Sequence, residues 1–428
     1  MDFESSIRSL EARVSTRMIP DLDRMRALSD LLNQPQRTYP SIHITGTNGK
    51  TTTAIIATEL LRALGLSVGT YTSPHLHSVR ERIAYDGKPI SEGDFAEMLD
   101  YLEPYLAHVD AQGERVTYFE ALTMLAEAWF AEKAVDVAVV EVGMGGEWDA
   151  TNLVDGRVAV VTEVALDHPE LGSTPVQVAR EKAGIIKAGA ICVTGERSRD
   201  VLGVIEERCR AADASLRLDG REFSLEARRL AFGGQSLDLR IGDRRYDEVL
   251  VPVFGERMAT DALLGVASVS AFLGDAELEE DVLFRAFAEV RSPGRVEVLR
   301  RRPLVIVDGA HNPDAAAALR AAVTESFTWR RCVLVLGMLS DKDIAGVVAT
   351  LVPMADVVIA TRPPSPRAAP IDRIAKEIST IDPEPQTAAT VEGALGRAME
   401  LAEEEDCILV TGSFYTVAAA RAAALGVS

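Results

Sequence analysis

The chain has 428 residues, 47% of them hydrophobic, with 65 acidic against 45 basic side chains and a formal net charge of −20. That length fits two or three domains with full cores, while the charge argues against a nucleic-acid or anionic-membrane surface, and no apolar run reaches the ~18 residues of a membrane span. Cys192, Cys209, Cys332 and Cys407 lack metal-ligand spacing and the start, Met1-Asp2-Phe3-Glu4, lacks a signal-peptide pattern, so a cytoplasmic protein with reduced thiols is expected.

Residues 40–45 read as a short strand and residues 52–64 as an Ala/Leu-rich helix. Between them lies His43-Ile44-Thr45-Gly46-Thr47-Asn48-Gly49-Lys50-Thr51-Thr52-Thr53, which has the form of a phosphate-binding loop. Gly46 and Gly49 allow close approach of the backbone to a phosphate, and the amides from Thr47 onward point at it from the helix N-terminus. Lys50 supplies charge for the β- and γ-phosphates, and the hydroxyl of Thr51 or Thr52 can hold a metal ion. The first glycine of the general G-x-x-x-x-G-K-[ST] pattern is replaced by Ile44. This loop predicts ATP binding.

Further along, buried strands are expected at 67–70, 135–142, 158–164 and 190–194, and helices at 91–109, 117–132 and 175–186. Alternation of this kind predicts an α/β fold with a parallel sheet covered on both faces. Glu141 falls at the end of one apolar strand, where a carboxylate is costly unless paired or metal-bound, and where open α/β sheets bind ligands. His168 follows the next strand and is a candidate metal ligand; Lys182 alone would be an ordinary surface lysine. Residues 216–254 read as antiparallel hairpins broken by Asp219-Gly220, Gly233-Gly234 and Gly242-Asp243, and helices follow at 257–272 and 279–287.

Ser292-Pro293-Gly294 marks a break, and a second α/β pattern begins with strands at 304–307, 332–336, 357–360 and 407–410. Two domains are therefore expected, 1–292 with a small antiparallel subdomain at about 216–254, and 293–428. Arg295 lies at the junction and can reach a transferring phosphate. Asp308, in Asp308-Gly309-Ala310-His311-Asn312-Pro313, ends a strand and can bind a ribose hydroxyl. Residues 362–370, with four prolines, read as an exposed loop and 403–406 as a solvated helix end. Asp341-Lys342-Asp343 reads either as a surface charge cluster or as part of a site.

These motifs occur in one order, with Thr72-Ser73-Pro74-His75-Leu76, Glu81-Arg82-Ile83, Asp149-Ala150-Thr151-Asn152 and Thr411-Gly412-Ser413 among them. The whole resembles the folylpolyglutamate synthase/dihydrofolate synthase family of the Mur ligase superfamily, over nearly the full chain. The resemblance implies a Mur-ligase-like fold: a P-loop ATPase domain with a parallel sheet and a small antiparallel sheet, then a Rossmann-like C-terminal domain. It implies a monomer that uses ATP and Mg2+ to join L-glutamate to a pterin acid, dihydropteroate or a folate, through an acyl phosphate. Glu141, His168 and a loop threonine would ligate metal, and Lys182 would do so as a carbamate. In some members the hydroxyl lies two places after the lysine, pointing to Thr52, whereas the general rule points to Thr51. Arg295, Asp308 and His311 would face the nucleotide; Ser73, Arg82, His311 and Ser413 would hold glutamate, with Asp149 and Asn152 beside the substrate. Residues 16–26 resemble a loop that closes over the pterin.

Three departures stand out. Glu147 replaces the usual arginine after Gly145-Gly146, Arg257 replaces a histidine, and Asp261 replaces an asparagine that contacts adenine in relatives. They leave room for a diverged ligase that couples a different acid and amine. A nucleotide-binding protein without ligase activity is opposed by the intact Lys50, Glu141, His168 and Lys182.

Overall fold

The computed structural model describes residues 2–14, 20–166, 169–382 and 384–426. It divides into two compact units: one comprises residues 1–229, 236–252 and 260–290, the other 230–235, 253–259 and 291–428.

In the first unit the strands are β1 (Ser41–Thr45), β2 (Val68–Tyr71), β3 (Ile83–Tyr85), β4 (Lys88–Pro89), β5 (Val137–Glu141), β6 (Gly156–Val161), β7 (Ile191–Thr194) and β8 (Ser215–Leu218). They form one sheet in the order β4-β3-β2-β5-β1-β6-β7-β8. The six strands from β2 to β8 pair in parallel, and β3 and β4 add an antiparallel edge. Two expectations are corrected here. The sheet is mixed, because residues 83–89 turn back tightly on β2. Residues 215–218 are not part of the hairpins: the helix Arg199–Ala211 carries the chain across the sheet, and β8 returns beside β7 in parallel.

Strands β1 and β5 are buried at every position, as a parallel sheet sandwiched by helices requires. One face is covered by the helices Phe3–Glu11, Asp23–Leu31, Glu92–Asp110 and Tyr118–Glu132, whose Phe95, Leu99, Leu122, Leu125 and Phe130 form a continuous core. Each such side chain contributes about 1.5–3 kcal/mol by leaving water. The helix starts follow local capping chemistry: Thr117 and Glu120 form a reciprocal capping box, and Thr174 caps a helix that begins with Pro175. That helix stops at Ala183, three residues short of the expected end, because the chain turns at Gly184 against Glu147. Strands β9 (Phe223–Ala231), β10 (Gly234–Ile241) and β11 (Arg244–Val251) form the small three-stranded meander.

In the second unit β12 (Glu297–Arg301), β13 (Leu304–Val307), β14 (Cys332–Leu336), β15 (Val357–Thr361), β16 (Gln386–Ala388) and β17 (Cys407–Thr411) form a sheet ordered β12-β13-β17-β14-β15-β16. Only β12 is antiparallel to its neighbour. The expected solvated end at 403–406 is corrected at Asp406. Its carboxylate is fully buried at the entry to β17, where it accepts from Arg330, Arg331 and the Glu403 amide. Burial opposes ionisation there, but Arg331, the Glu403 amide and Arg330 hold the carboxyl well below the usual range. The proline-rich stretch is half interior, with Pro363, Ser365, Ala368 and Ala369 buried. Asp343 caps the helix Ile344–Leu351, and Asp341 pairs with Arg367.

Candidate active site

The loop after β1 is built to hold its backbone exposed to an anion. Gly46 and Gly49 have φ of 152° and 87°, and a Cβ at Gly46 would collide with the Thr162 hydroxyl. A Cβ at Gly49 would collide with the buried carboxylate of Asp261, which packs directly on the loop. Thr47 N donates to Glu163 O at 2.7 Å, Thr47 Oγ1 donates to Ala165 O at 2.8 Å, and Thr162 Oγ1 donates to Asn48 O at 2.6 Å. These bonds staple the loop to the segment after β6. The helix Lys50–Ala63 begins at once, and Lys50 Nζ turns back to Gly46 O at 2.9 Å.

Glu141 ends β5 beside Ile44 of β1 and is 1% exposed. Its Oε1 accepts from Thr51 Oγ1 at 2.9 Å and its Oε2 from the Ser73 amide at 3.2 Å. Of the two candidate hydroxyls, Thr51 is therefore the one that meets the carboxylate; Thr52 is buried in the helix. Lys182 is not the surface lysine its sequence context suggests. It is 3% exposed, and its Nζ donates to Gly46 O at 2.8 Å. Gly146 makes that possible: a Cβ there would meet Glu181 O and Lys182 O at 2.7 Å, so glycine lets the loop after β5 lie directly on the helix that carries Lys182.

Asp149 and Asn152 organise this same loop. Both oxygens of Asp149 are used, one by the amide and hydroxyl of Thr151 and the other by Met144 N. Asn152 Nδ2 donates to Glu147 O. Glu147 itself is exposed and raises the neighbouring Glu181, whose carboxyl is pushed up first by burial. The loop from Thr72 to Arg82 is closed by Thr72 N donating to Arg82 O, and Arg82 Nε donates to His75 Nδ1 at 2.9 Å. His75 was missed by sequence reasoning, since only proximity to Arg82 singles it out. Asp167, His168 and residues 16–19 lie outside the described residues.

In the second unit Asp308 follows β13 and is buried, accepting from Val296 N and Ala310 N; burial pushes its carboxyl up, and the Arg295 charge opposes this. Arg295 lies over the Phe414 ring at 4.4 Å, and His311 Nδ1 is 2.9 Å from Gly309 O. Ser413 caps the helix Phe414–Leu425, its hydroxyl bonded to Thr416. Asp308, His311 and Ser413 thus share the edge of the sheet formed by the C-terminal ends of β13 and β17, where open parallel sheets bind ligands.

Residues 44–268 match the Mur ligase middle domain and residues 294–414 the Mur ligase glutamate ligase domain. Dihydrofolate synthase/folylpolyglutamate synthase of Mycobacterium tuberculosis is 40% identical across 95% of this chain and 90% of that one. The chain belongs to the folylpolyglutamate synthase/dihydrofolate synthase family of Mur ligases. The solved M. tuberculosis folylpolyglutamate synthase complexed with ADP superposes on this family member with a TM-score of 0.94, covering 99% of this chain and 98% of that one at 40% identity. The E. coli enzyme in complex with DHPP and ADP gives 0.88 at 30% identity, over 98% and 96% of the two chains. The Yersinia pestis bifunctional folylpolyglutamate synthase/dihydrofolate synthase complexed with AMPPNP and Mn ion gives 0.87 at 30% identity, over 100% and 98%. The expected Mur-ligase-like architecture is therefore observed. Among the described residues no helix is long and apolar enough to cross a membrane.

Proposed function

We infer that this family member is an ATP-dependent, ADP-forming ligase that adds L-glutamate to dihydropteroate or a reduced folate, working as a cytoplasmic monomer. The observation that carries the reading is the meeting of Lys50, Thr51, Glu141 and Lys182 around the loop after β1, at the C-terminal edge of a parallel sheet. Relatives solved with ADP, DHPP and AMPPNP support the substrate classes.

The γ-phosphoryl group passes to the carboxylate oxygen of the acid, releasing ADP and leaving an acyl phosphate. The glutamate amine then attacks the acyl carbon and loses a proton, phosphate departs with the C–O bonding pair, and an amide remains. Lys50 and the loop amides stabilise charge on the phosphates, which removes several kcal/mol from such a barrier. The all-oxygen pairing of Thr51 with a buried carboxylate suits a hard divalent ion, so Thr51, Glu141, His168 and a carbamylated Lys182 are the proposed Mg2+ ligands. Such an ion would neutralise phosphate charge as a Lewis acid. Two ammonium groups directed at one carbonyl favour carbamylation, because a carbamate converts one of the two cations into an anion. We assign Arg295, Asp308 and His311 to nucleotide contacts, Ser73, Arg82 and His311 to glutamate, and the domains to 1–292 and 293–428.

The test is release of ADP and phosphate by the purified protein with dihydropteroate or tetrahydrofolate, each with and without L-glutamate. Stoichiometric ADP and amide product are expected. ATP binding without turnover on any pterin acid would overturn the folate assignment and favour a different acid substrate.

A further inference from the structure

His43 lies in the middle of β1, wholly buried, and the proposed chemistry makes no use of it. The sheet makes room for its ring. A Cβ at Gly156 would come within 3.1 Å of the His43 Cβ, and β6 carries one extra residue, Arg157, between the partners of Ser41 and Ile42. Burial, with help from the Lys187 charge, lowers the His43 pKa to about 3, so the ring is neutral at physiological pH.

The hydrogen bonds give that ring a direction. Its Nε2 is 2.9 Å from Thr151 Oγ1, and Thr151 Oγ1 donates to Asp149 Oδ1 at 2.5 Å. A hydroxyl has one proton to give, so the imidazole donates from Nε2 and Thr151 accepts. Asp149 ends the chain as an acceptor, its Oδ1 also taking the Thr151 amide and its Oδ2 the Met144 amide. His43 Nδ1 meets no partner among the described residues, so the ring's hydrogen bonding is spent on Thr151.

Thr45, two residues along the same face of β1, donates to Gly145 O at 2.7 Å. Two side chains of the strand that leads into the phosphate loop therefore hold the loop after β5. That loop is bonded in turn to the helix Pro175–Ala183. Glu147 N donates to Glu181 O at 3.0 Å, Trp148 N donates to Glu181 Oε1 at 3.2 Å, and Gly146 lies on the Lys182 backbone.

We propose that His43 is a positioning residue for Lys182: by donating through Thr151 to Asp149 it fixes the loop after β5, against which the helix that carries Lys182 is set. The proposal rests on the ligase reading for the use made of Lys182, and on the hydrogen bonds alone for its placement.

Three measurements test it. In protein labelled with 15N-histidine, the ring signals lost in H43Q should report a neutral, Nε2-protonated imidazole between pH 6 and 8; an Nδ1–H tautomer or an imidazolium would overturn the relay. In steady-state kinetics, H43Q keeps a donor at the position of Nε2, H43L has none, and T151V removes the hydroxyl that receives it. We expect H43L and T151V each to lower kcat by on the order of tenfold or more, within the cost of an ångström-scale misplacement of a reacting group. The KM of ATP should stay within twofold, because Lys50 and the loop amides follow β1 directly. H43Q should recover most of the rate, and H43L/T151V should be no slower than the slower single variant, since both changes break one chain. Effects that multiply, H43Q as slow as H43L, or an unchanged kcat in T151V would defeat the proposal. T151V, nearly the shape of the residue it replaces, carries the test should H43L not fold. A crystal structure of T151V decides the placement without turnover: Lys182 should be displaced relative to the unmodified protein, and Lys182 unmoved would overturn the proposal. Absence of turnover in the unmodified protein would instead defeat the ligase reading, with the tautomer and the crystal structure still deciding whether His43 places Lys182.

Discussion

Lys50 and Lys182, 132 positions apart in the chain, donate to one and the same atom, the carbonyl oxygen of Gly46, at 2.9 and 2.8 Å. Lys50 reaches it from the first turn of the following helix, and Lys182 from a different helix brought close by Gly146. A single peptide oxygen therefore sets the spacing of the two amino groups, of which Lys50 is used as a cation and Lys182 is proposed to become a carbamate.

Lys50→Ala should leave the melting temperature nearly unchanged and lower ADP release by about a thousandfold, as expected for removing a charge contact to the transferring phosphate. Activity above a tenth of normal would contradict the loop's role.

Lys182→Ala should be nearly inactive and partly restored by formate or acetate, which can occupy the position of the carbamate oxygens. The unmodified enzyme should lose activity when carbon dioxide and bicarbonate are stripped from the assay, and regain it when bicarbonate returns. Indifference to both treatments would argue for a plain ammonium.

Thr51→Val should raise the Mg2+ concentration needed for half-maximal rate by tenfold or more, because it deletes the hydroxyl that meets Glu141. Thr52→Val, in the buried part of the helix, should change it little. The reverse ranking would transfer the metal contact to Thr52.

Glu127 lies wholly buried in the helix Tyr118–Glu132, and neither of its oxygens has a hydrogen-bond partner among the described residues. Burial raises its pKa well above the ordinary value. The folded state then binds a proton that the unfolded state has released, so this group costs stability as pH rises above about 4, by up to about 1.4 kcal/mol per pH unit until its folded pKa is reached. Glu127→Gln should raise the melting temperature at pH 8 and have little effect at pH 4.5. An equal shift at both values would contradict a protonated Glu127.

Glu147→Arg should increase chain elongation relative to addition of the first glutamate, most at low salt. It replaces an exposed carboxylate beside Glu181 with a cation, and would attract a substrate that already carries several carboxylates. Product lengths resolved by chromatography decide it; an unchanged distribution would remove Glu147 from substrate selection.

The phosphate loop was legible because its signal is local: two glycines, a lysine and threonines between an apolar strand and a helix. Glu141 was legible because a carboxylate ending an apolar strand is energetically conspicuous. The burial of Lys182 was not, since it depends on a glycine 36 positions earlier whose missing side chain admits a helix backbone. Asp406 escaped for a similar reason: three exposed glutamates precede it, and its arginine partners lie some 75 residues away. Residues 216–218 read as hairpin but belong to β8, because a short alternating run beside a turn reads alike in a hairpin and at the edge of a parallel sheet.

The clamp of Asp406 by Arg330 and Arg331 sits where β14 and β17 begin, whereas Asp308, His311 and Ser413 sit where β13 and β17 end. Because these strands are parallel, robustness and chemistry are sorted to opposite rims of one sheet. An engineer, or natural drift, can therefore reinforce the first rim without retuning the second, and can reshape the second without unfastening the sheet.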